Sequence, residues 1–141
     1  MAFGHGKLAV IKMDNASGTL FDLTAISNAI DLPKSLGTGE TTSFGQNDKT
    51  YIAGLMDGTV SIGGSYDNTL DATIQAAVDA VANGTLASLT VEYGPQGTTT
   101  GKPKYTLEVI PTNYNISTAV AGVGTFKLDC QRTGATTRST Y

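Results

Sequence analysis

The side chains that most often carry out chemistry in proteins are scarce and widely separated in this sequence. It contains one histidine, His5, and one cysteine, Cys130. A nucleophile–histidine arrangement would therefore have to join opposite ends of the chain, and His5 lies in a glycine-flanked terminal segment. A single thiol allows neither an intrachain disulfide nor a thiolate metal site. These residue types predict no cofactor and no metal.

Paired carboxylates are the other arrangement that could support catalysis, since glycoside hydrolysis needs only two of them. Asp57, Asp67 and Asp71 are close in sequence. Asp57 and Asp67 flank a predicted strand and Asp71 falls in the first turn of a predicted helix, so turn and capping roles account for all three. The segments Gly4-His5-Gly6 and Gly37-Thr38-Gly39 lack the third glycine and the strand-to-helix setting of a dinucleotide fingerprint. We therefore predict that the chain is not an enzyme.

The composition points instead to a lightly charged, β-rich subunit. Of 141 residues, 40% are hydrophobic, 15% are charged and 17 are glycine, and the net charge is −3. Charge depletion is typical of surfaces that copies of a protein cover for one another. A net negative chain has no broad basic surface for attracting phosphates. No signal peptide or membrane-spanning run is predicted, and the lone cysteine fits a reducing cytoplasm.

One helix, at about residues 69–83, is predicted from an apolar stripe at helical spacing. Asn68 or Thr69 could cap its start, and Asn83-Gly84 supplies a left-handed stop. The stripe should pack on a sheet. Its members are Leu70, Ile74, Val78 and Val81, with Ala77 between them.

The strands are predicted from apolar and polar residues that alternate with period two. One face should form the core: Val60, Ile62, Leu89, Val91, Leu107, Val109, Phe126 and Leu128. The opposite face is polar: Ser61, Ser65, Thr90, Glu92, Thr106, Glu108, Lys127 and Asp129. The prediction is a mainly β fold, a single antiparallel β-sandwich or open barrel over residues 1–141, with one packed α-helix.

Four further segments complete the sequence-based prediction. Residues 7–13 indicate a first strand, and residues 23–32 are ambiguous between a short helix and irregular backbone. Residues 36–49 are predicted to form a long polar loop that orders only on assembly, because loops of this length are usually functional or mobile. Residues 133–141 are predicted to be a polar tail.

Two segments resemble a known family. ETTSFG at residues 40–45 precedes KTYIAGLMDGTVSIGGSYD at residues 49–67, and the pattern is similar to the major tail (tail tube) proteins of siphophages, notably those that infect actinobacteria. Residues 22–33, and GVGTFKL at residues 122–128 with QRTG after it, resemble the same family less specifically. The chain has almost no N-terminal arm beside the longer versions, so the resemblance does not extend to contacts made by such an arm.

The resemblance implies a structural virion subunit that self-assembles into stacked, hexameric rings, forming a tube around the tape measure protein and later the viral DNA. Tail terminator and distal tail proteins would be further partners, assembly would occur in the host cytoplasm, and no membrane is involved. The inter-ring contact would use Glu40, Thr41, Thr42, Phe44, Lys49 and Tyr51. The candidate lumen-facing residues are Ser61, Thr90, Glu92, Thr106, Glu108, Lys127 and Asp129.

Three other classes stay open at this stage. A capsid decoration protein, or another phage structural β-protein, would share the size and the low charge. It would form trimers or clusters on a shell. A carbohydrate-binding β-sandwich would need aromatic side chains around a groove, and the chain has no tryptophan. A small hydrolase fits least well.

Overall fold

The computed structural model describes residues 3–141, which form eight strands and one α-helix. A short 3₁₀ turn, Gly6–Leu8, precedes them. The strands are β1 (Val10–Asp14), β2 (Leu20–Asp22), β3 (Ser27–Asp31), β4 (Lys34–Glu40), β5 (Tyr51–Ser65), β6 (Leu89–Gly94), β7 (Pro103–Ser117) and β8 (Thr125–Thr140), and the helix α1 (Asn68–Ala82) lies between β5 and β6.

All the strand pairs are antiparallel. The order across the sheet is β2-β1-β6-β7-β8-β5-β3, and β4 pairs with the first half of β5. The predicted fold class, mainly antiparallel β with one helix, is confirmed. In the described part of the chain, no helix has both the length and the apolar character needed to cross a membrane.

One face of the sheet and the helix enclose the core. All eight residues of the predicted apolar face are buried, and Met13, Leu23 and Cys130 join them. The alternation arises because successive strand residues point to opposite faces, so a single buried face fixes the register of each strand.

The helix lies within one residue of its predicted position. Its N-cap is neither of the predicted residues but Asp67, whose carboxylate accepts hydrogen bonds from the Thr69 and Leu70 amides. An aspartate is favoured there because it satisfies free amides at the positive end of the helix dipole. Gly84, with φ +83°, follows the last turn as predicted.

The helix covers the core with a narrower stripe than the sequence indicates. Ile74, Ala77 and Ala80 are buried, Val78 and Val81 pack against the core while partly exposed, and Leu70 is half-buried.

Four predicted segments are wrong or incomplete. The first strand begins at Val10, after the 3₁₀ turn. The ambiguous segment 23–32 contains a turn and β3. The long loop is a β-hairpin: residues 36–40 belong to β4, and only residues 41–50 connect β4 to β5. The polar tail is the second half of β8, paired with β7 as far as Thr140.

Two glycines of the family-like motif lie where another backbone segment crosses β5. A Cβ on Gly58 would lie 2.6 Å from the Pro33 carbonyl oxygen. A Cβ on Gly64 would overlap the Ile26 carbonyl, beside which Ser65 N donates to the same oxygen at 2.9 Å. Glycine is required at both positions because no side chain fits under the crossing segment.

Candidate assembly surfaces

The polar face of the sheet is carried by four adjacent strands, β6, β7, β8 and β5. Pairing places Glu92 beside Thr106, and Thr90 beside Glu108, on the side opposite the core. Asp129 lies beside Ser61 in the same way. Lys127 shares this face because it is two residues from Asp129 on one strand. All seven candidate lumen residues therefore lie on one continuous surface.

Hydrogen bonds organise the carboxylates of this face. Thr90 Oγ1 donates to the Glu108 carboxylate, with distances of 2.9 and 3.0 Å to its two oxygens. Ser61 Oγ donates to Asp129 Oδ1 at 2.9 Å, and Lys127 Nζ lies 4.0 Å from the same oxygen. Each of these contacts joins side chains two residues apart on one strand or on neighbouring strands. The strand pairing therefore holds the carboxylates of Glu108 and Asp129 in position.

Strand pairing adds residues to this face that could not be assigned from the sequence. The sequence does not show which residues of β1 and β3 lie opposite those of β6 and β5. Lys12 lies opposite Glu92, and Asp31 lies opposite Ser61. On β7, a bulge between Pro111 and Asn113 turns Asn113 towards this face, opposite Asp129. By the same pairing Asp22 lies opposite Lys12, and Lys104 lies two residues from Thr106 on β7, so two added lysines balance two added aspartates and the face keeps a net negative character.

A second candidate surface is the β4–β5 hairpin. Every residue from 34 to 57 is exposed. The seven residues of β4, at about 3.3 Å each, carry its tip roughly 20–25 Å away from the sheet. The hairpin exposes several large apolar side chains to solvent: Leu36, Tyr51, Ile52, Leu55 and Met56. Contiguous exposed apolar residues of this kind mark an interaction surface.

The tip of the hairpin is closed by its own hydrogen bonds. Thr41 N donates to Thr50 O at 2.8 Å, and Ser43 N donates to Gln46 Oε1 at 2.6 Å. Gly45, with φ +86°, occupies the turn position that needs a left-handed residue. The turn leaves Phe44 at its apex with its side chain completely exposed, at 108%.

A third candidate surface is an unfinished sheet edge. Within the described residues, β6 pairs only with residues 105–109 of β7, whereas β8 pairs along the whole of β7. Residues 110–117 of β7 therefore have a strand on one side only, and Ile110 and Ile116 are partly exposed there. An unpaired edge is a template for strand addition from another chain.

The helix is held to the sheet by a polar contact that the sequence did not predict. Asp71, which was assigned to the first turn of the helix, accepts a hydrogen bond from Tyr114 Oη at 2.7 Å and a longer one from Tyr66 Oη at 3.4 Å. Burial, and then the hydrogen bond to Asp71, raise the pKa of Tyr114 well above its ordinary value of 10.0. Tyr114 therefore stays protonated and keeps donating at neutral pH.

We expect Tyr114→Phe to lower the free energy of unfolding by about 1.5–3 kcal/mol, the usual contribution of a hydrogen bond to a charged group. Because the pKa of Tyr114 is raised in the folded state, its contribution is complete below pH 10 and is lost as the pH rises beyond it. Urea unfolding followed by circular dichroism at pH 7 and pH 11 measures both effects.

The control for this hydroxyl is Tyr51→Phe, since the Tyr51 side chain is 55% exposed on the hairpin. It should unfold like the wild type. Equal stability of Tyr114→Phe and Tyr51→Phe at pH 7 would show that the Asp71 contact contributes nothing.

The single thiol lies in the core. Cys130 is 2% exposed, and burial, with a smaller effect from Asp129, raises its pKa to about 12. It therefore stays a neutral thiol at physiological pH.

Comparison with solved structures reveals the same fold in several tube assemblies. The chain aligns with a tail chain of an empty gene transfer agent particle of C6 symmetry, at a TM-score of 0.75 and 16% identity, over 97% of this chain and 99% of the other. It aligns with the SPP1 tail tube at a TM-score of 0.73 and 12% identity, over 99% of this chain and 80% of the other.

A contractile system also has this fold. A chain of the PVC sheath-tube complex, from an extracellular contractile injection system, aligns at a TM-score of 0.70 and 7% identity, over 99% and 93% of the two chains. No protein-family model matches the sequence, and no curated protein matches it. The chain has the tail-tube fold, and the resemblance to tail tube proteins noted from the sequence is confirmed in its structure.

Proposed function

We propose that this chain is the tail tube subunit of a long-tailed, non-contractile bacteriophage, a structural component without catalytic activity. The observation that carries the proposal is the shared fold, which extends over nearly the full length of both chains in the gene transfer agent tail and over 80% of the other chain in the SPP1 tail tube. The siphophage assignment rests on the sequence motif at residues 40–67, since contractile systems share the fold. In this role the protein is a virion component, assembled in the host cytoplasm.

The proposed assembly is a stack of hexameric rings. Six-fold symmetry is that of the gene transfer agent tail, and it suits the four strands that carry the polar face. Six copies of four strands make about 24 strands, and at about 4.8 Å spacing and 40° tilt they close into a barrel about 48 Å across. Such a barrel admits a DNA duplex after side chains are subtracted. Closure also covers the unfinished edge of β7.

The hairpin would make the contact between rings. It projects from the sheet and carries the exposed apolar residues that a docking surface needs. It also contains the six residues assigned to this contact from the sequence: Glu40, Thr41, Thr42, Phe44, Lys49 and Tyr51. The tape measure protein, and later the viral DNA, would occupy the lumen, and tail terminator and distal tail proteins would be further partners.

The polar sheet face would line the channel. Its candidate residues include three carboxylates, on Glu92, Glu108 and Asp129, and one ammonium group, on Lys127. Repeated around each ring, they give a negative wall that repels phosphate. DNA then passes without binding.

We expect Glu92→Lys combined with Glu108→Lys to leave the tubes intact and make them retain DNA. Retention should fall steeply between about 50 and 200 mM salt, because binding through phosphates releases counterions. Cosedimentation of short duplex DNA with assembled tubes measures it. A control that adds similar positive charge to exposed positions of the helix, Gln75→Lys with Asp79→Lys, should retain less DNA. If mutant tubes ignore DNA at low salt, the polar face does not line the channel.

Negative-stain images of the purified protein over a concentration series test the proposal as a whole. Long hollow rods of uniform width are expected. Trimers or clusters without rods would favour a capsid decoration protein. A protein that stays monomeric at every concentration would contradict both.

A further inference from the structure

The core is closed by the helix at one end of the sheet and open at the other. At the open end lies a cavity of about 460 Å³, between the base of the hairpin and the ends of β6, β7 and β8. Its apolar walls include Leu32, Pro95 and Leu107. The rings of Tyr93 and Tyr105 stack there with centroids 6.3 Å apart. A cavity of this size and character accepts an aromatic side chain.

Three cations line the same cavity: Lys34, Arg132 and Arg138. Arg132 is 8% exposed, so its guanidinium is almost withdrawn from water. Within residues 3–141, its side chain donates to one acceptor, Thr136 Oγ1 at 3.1 Å, and no carboxylate lies within 4 Å of any of the three cations. A buried guanidinium without an acidic partner is costly, and a carboxylate from outside would relieve the cost.

An acid of the same chain lies in a groove beside the cavity but is already engaged. Asp57 shares an adjoining groove with Arg132, but its carboxylate is held by Gln131 Nε2 at 2.7 Å and by Gly58 N at 2.8 Å. The cavity therefore has three positive groups and no carboxylate of its own.

The hairpin tip has the complementary chemistry. Phe44 is fully exposed at its apex, and the carboxylates of Glu40 and Asp48 lie on either side of it, with Lys49 as the one cation. A chain cannot insert this tip into its own cavity, because the hairpin begins at the cavity and its tip lies roughly 20 Å away.

We infer that the hairpin tip of a second copy fills this cavity, with Phe44 between the tyrosines and the acids of the tip beside the cations. The inference rests on the proposed function, for which it identifies the surface that receives the hairpin. Tip and cavity are different surfaces of one chain, so the contact is head-to-tail and each copy accepts one neighbour while entering another. Contacts of this kind extend into rings or helical stacks, whereas a self-complementary contact stops at a dimer.

A cysteine pair tests the contact directly. In Ser43→Cys with Pro95→Cys, which keeps Phe44, one thiol is at the tip and one is on the cavity wall, and buried Cys130 does not interfere. Oxidation of assembled protein should give a ladder of covalent oligomers longer than dimers on a non-reducing gel. Ser43→Cys with Gln75→Cys, which moves the second thiol to the exposed face of the helix, should give no such ladder.

Two substitutions test the energetics in the same assembly assay. Phe44→Ser should raise the critical concentration for assembly at least about 30-fold, as expected when a central aromatic anchor is truncated. Arg138→Glu, at an exposed cavity position, should raise it about tenfold or more. Lys102→Glu makes the same charge change at an exposed position that does not line the cavity, and should assemble like the wild type.

The outcomes separate this inference from the proposed function. If the wild type forms no tubes, the proposed function fails and the inference with it. If the wild type forms tubes, the absence of the covalent ladder overturns the inference alone, and so does unchanged assembly of Phe44→Ser and Arg138→Glu.

Discussion

Ile74→Asp is expected to unfold the subunit at neutral pH. Ile74 is 1% exposed in the core face of the helix. An aspartate there would place an unpaired carboxylate against apolar side chains, which costs several kcal/mol. A loss of about 4 kcal/mol or more removes most of the stability of a domain this size. Far-UV circular dichroism and urea unfolding of the purified variant measure it. Val78→Asp should lower the free energy of unfolding less. Val78 is half-buried, so the carboxylate introduced there can reach water.

The matched control is Gln75→Asp, one residue along the same helix but exposed. It should keep the wild-type spectrum and unfold within about 1 kcal/mol of the wild type. A different result would revise the role of the helix: if Ile74→Asp is a folded monomer that fails only in assembly, the apolar stripe is a surface between subunits.

Removing residues 38–53 is expected to abolish tube formation and leave the subunit folded. The deletion joins Gly37 to Gly54, whose backbones already approach each other across the hairpin. Leu36 pairs with Met56, so the shortened hairpin closes through Gly37, Gly54 and Leu55, a three-residue connection that antiparallel strands accommodate. Every deleted residue is exposed, so the core loses no contact.

Negative staining and sedimentation velocity measure assembly of this variant, and thermal unfolding measures its stability. The melting temperature should stay within a few degrees of the wild type, because the deleted segment contributes little burial. A shorter deletion, of residues 43–46, removes the Phe44 turn but keeps the ladder, and should weaken assembly less than the full deletion. Tubes of wild-type length from the full deletion would show that the hairpin does not join rings.

The elements that could be predicted are those in which apolar and polar residues alternate strictly. The helix and the core faces of four strands follow from periodicity, because burial of one face imposes it. The outer half of the hairpin and the end of β8 carry no such signal. Their strands bury neither face in the isolated chain, so Gly, Ser and Thr dominate and the sequence looks like loop.

The polar sheet face could be predicted as a surface, because it is the complement of the core face on each strand. The predicted set of residues on this face was incomplete, because Lys12 and Asp31 are placed there by strand pairing that the sequence does not reveal. The Asp71–Tyr114 contact and the burial of Arg132 could not be predicted from sequence. Both depend on how elements far apart in the chain pack together, and a lone aspartate or arginine gives no periodic signal.

If the chain is a tail subunit, as proposed, the position of Cys130 matters because the particle leaves the cell. A tail contains many copies of its subunit, and release transfers all of them from a reducing to an oxidising medium. An exposed, ionisable thiol on every copy would then invite random cross-links or sulfur oxidation along the tube. With the thiol 2% exposed and its pKa raised to about 12, the subunit of such a particle would keep the same covalent structure on both sides of the host envelope.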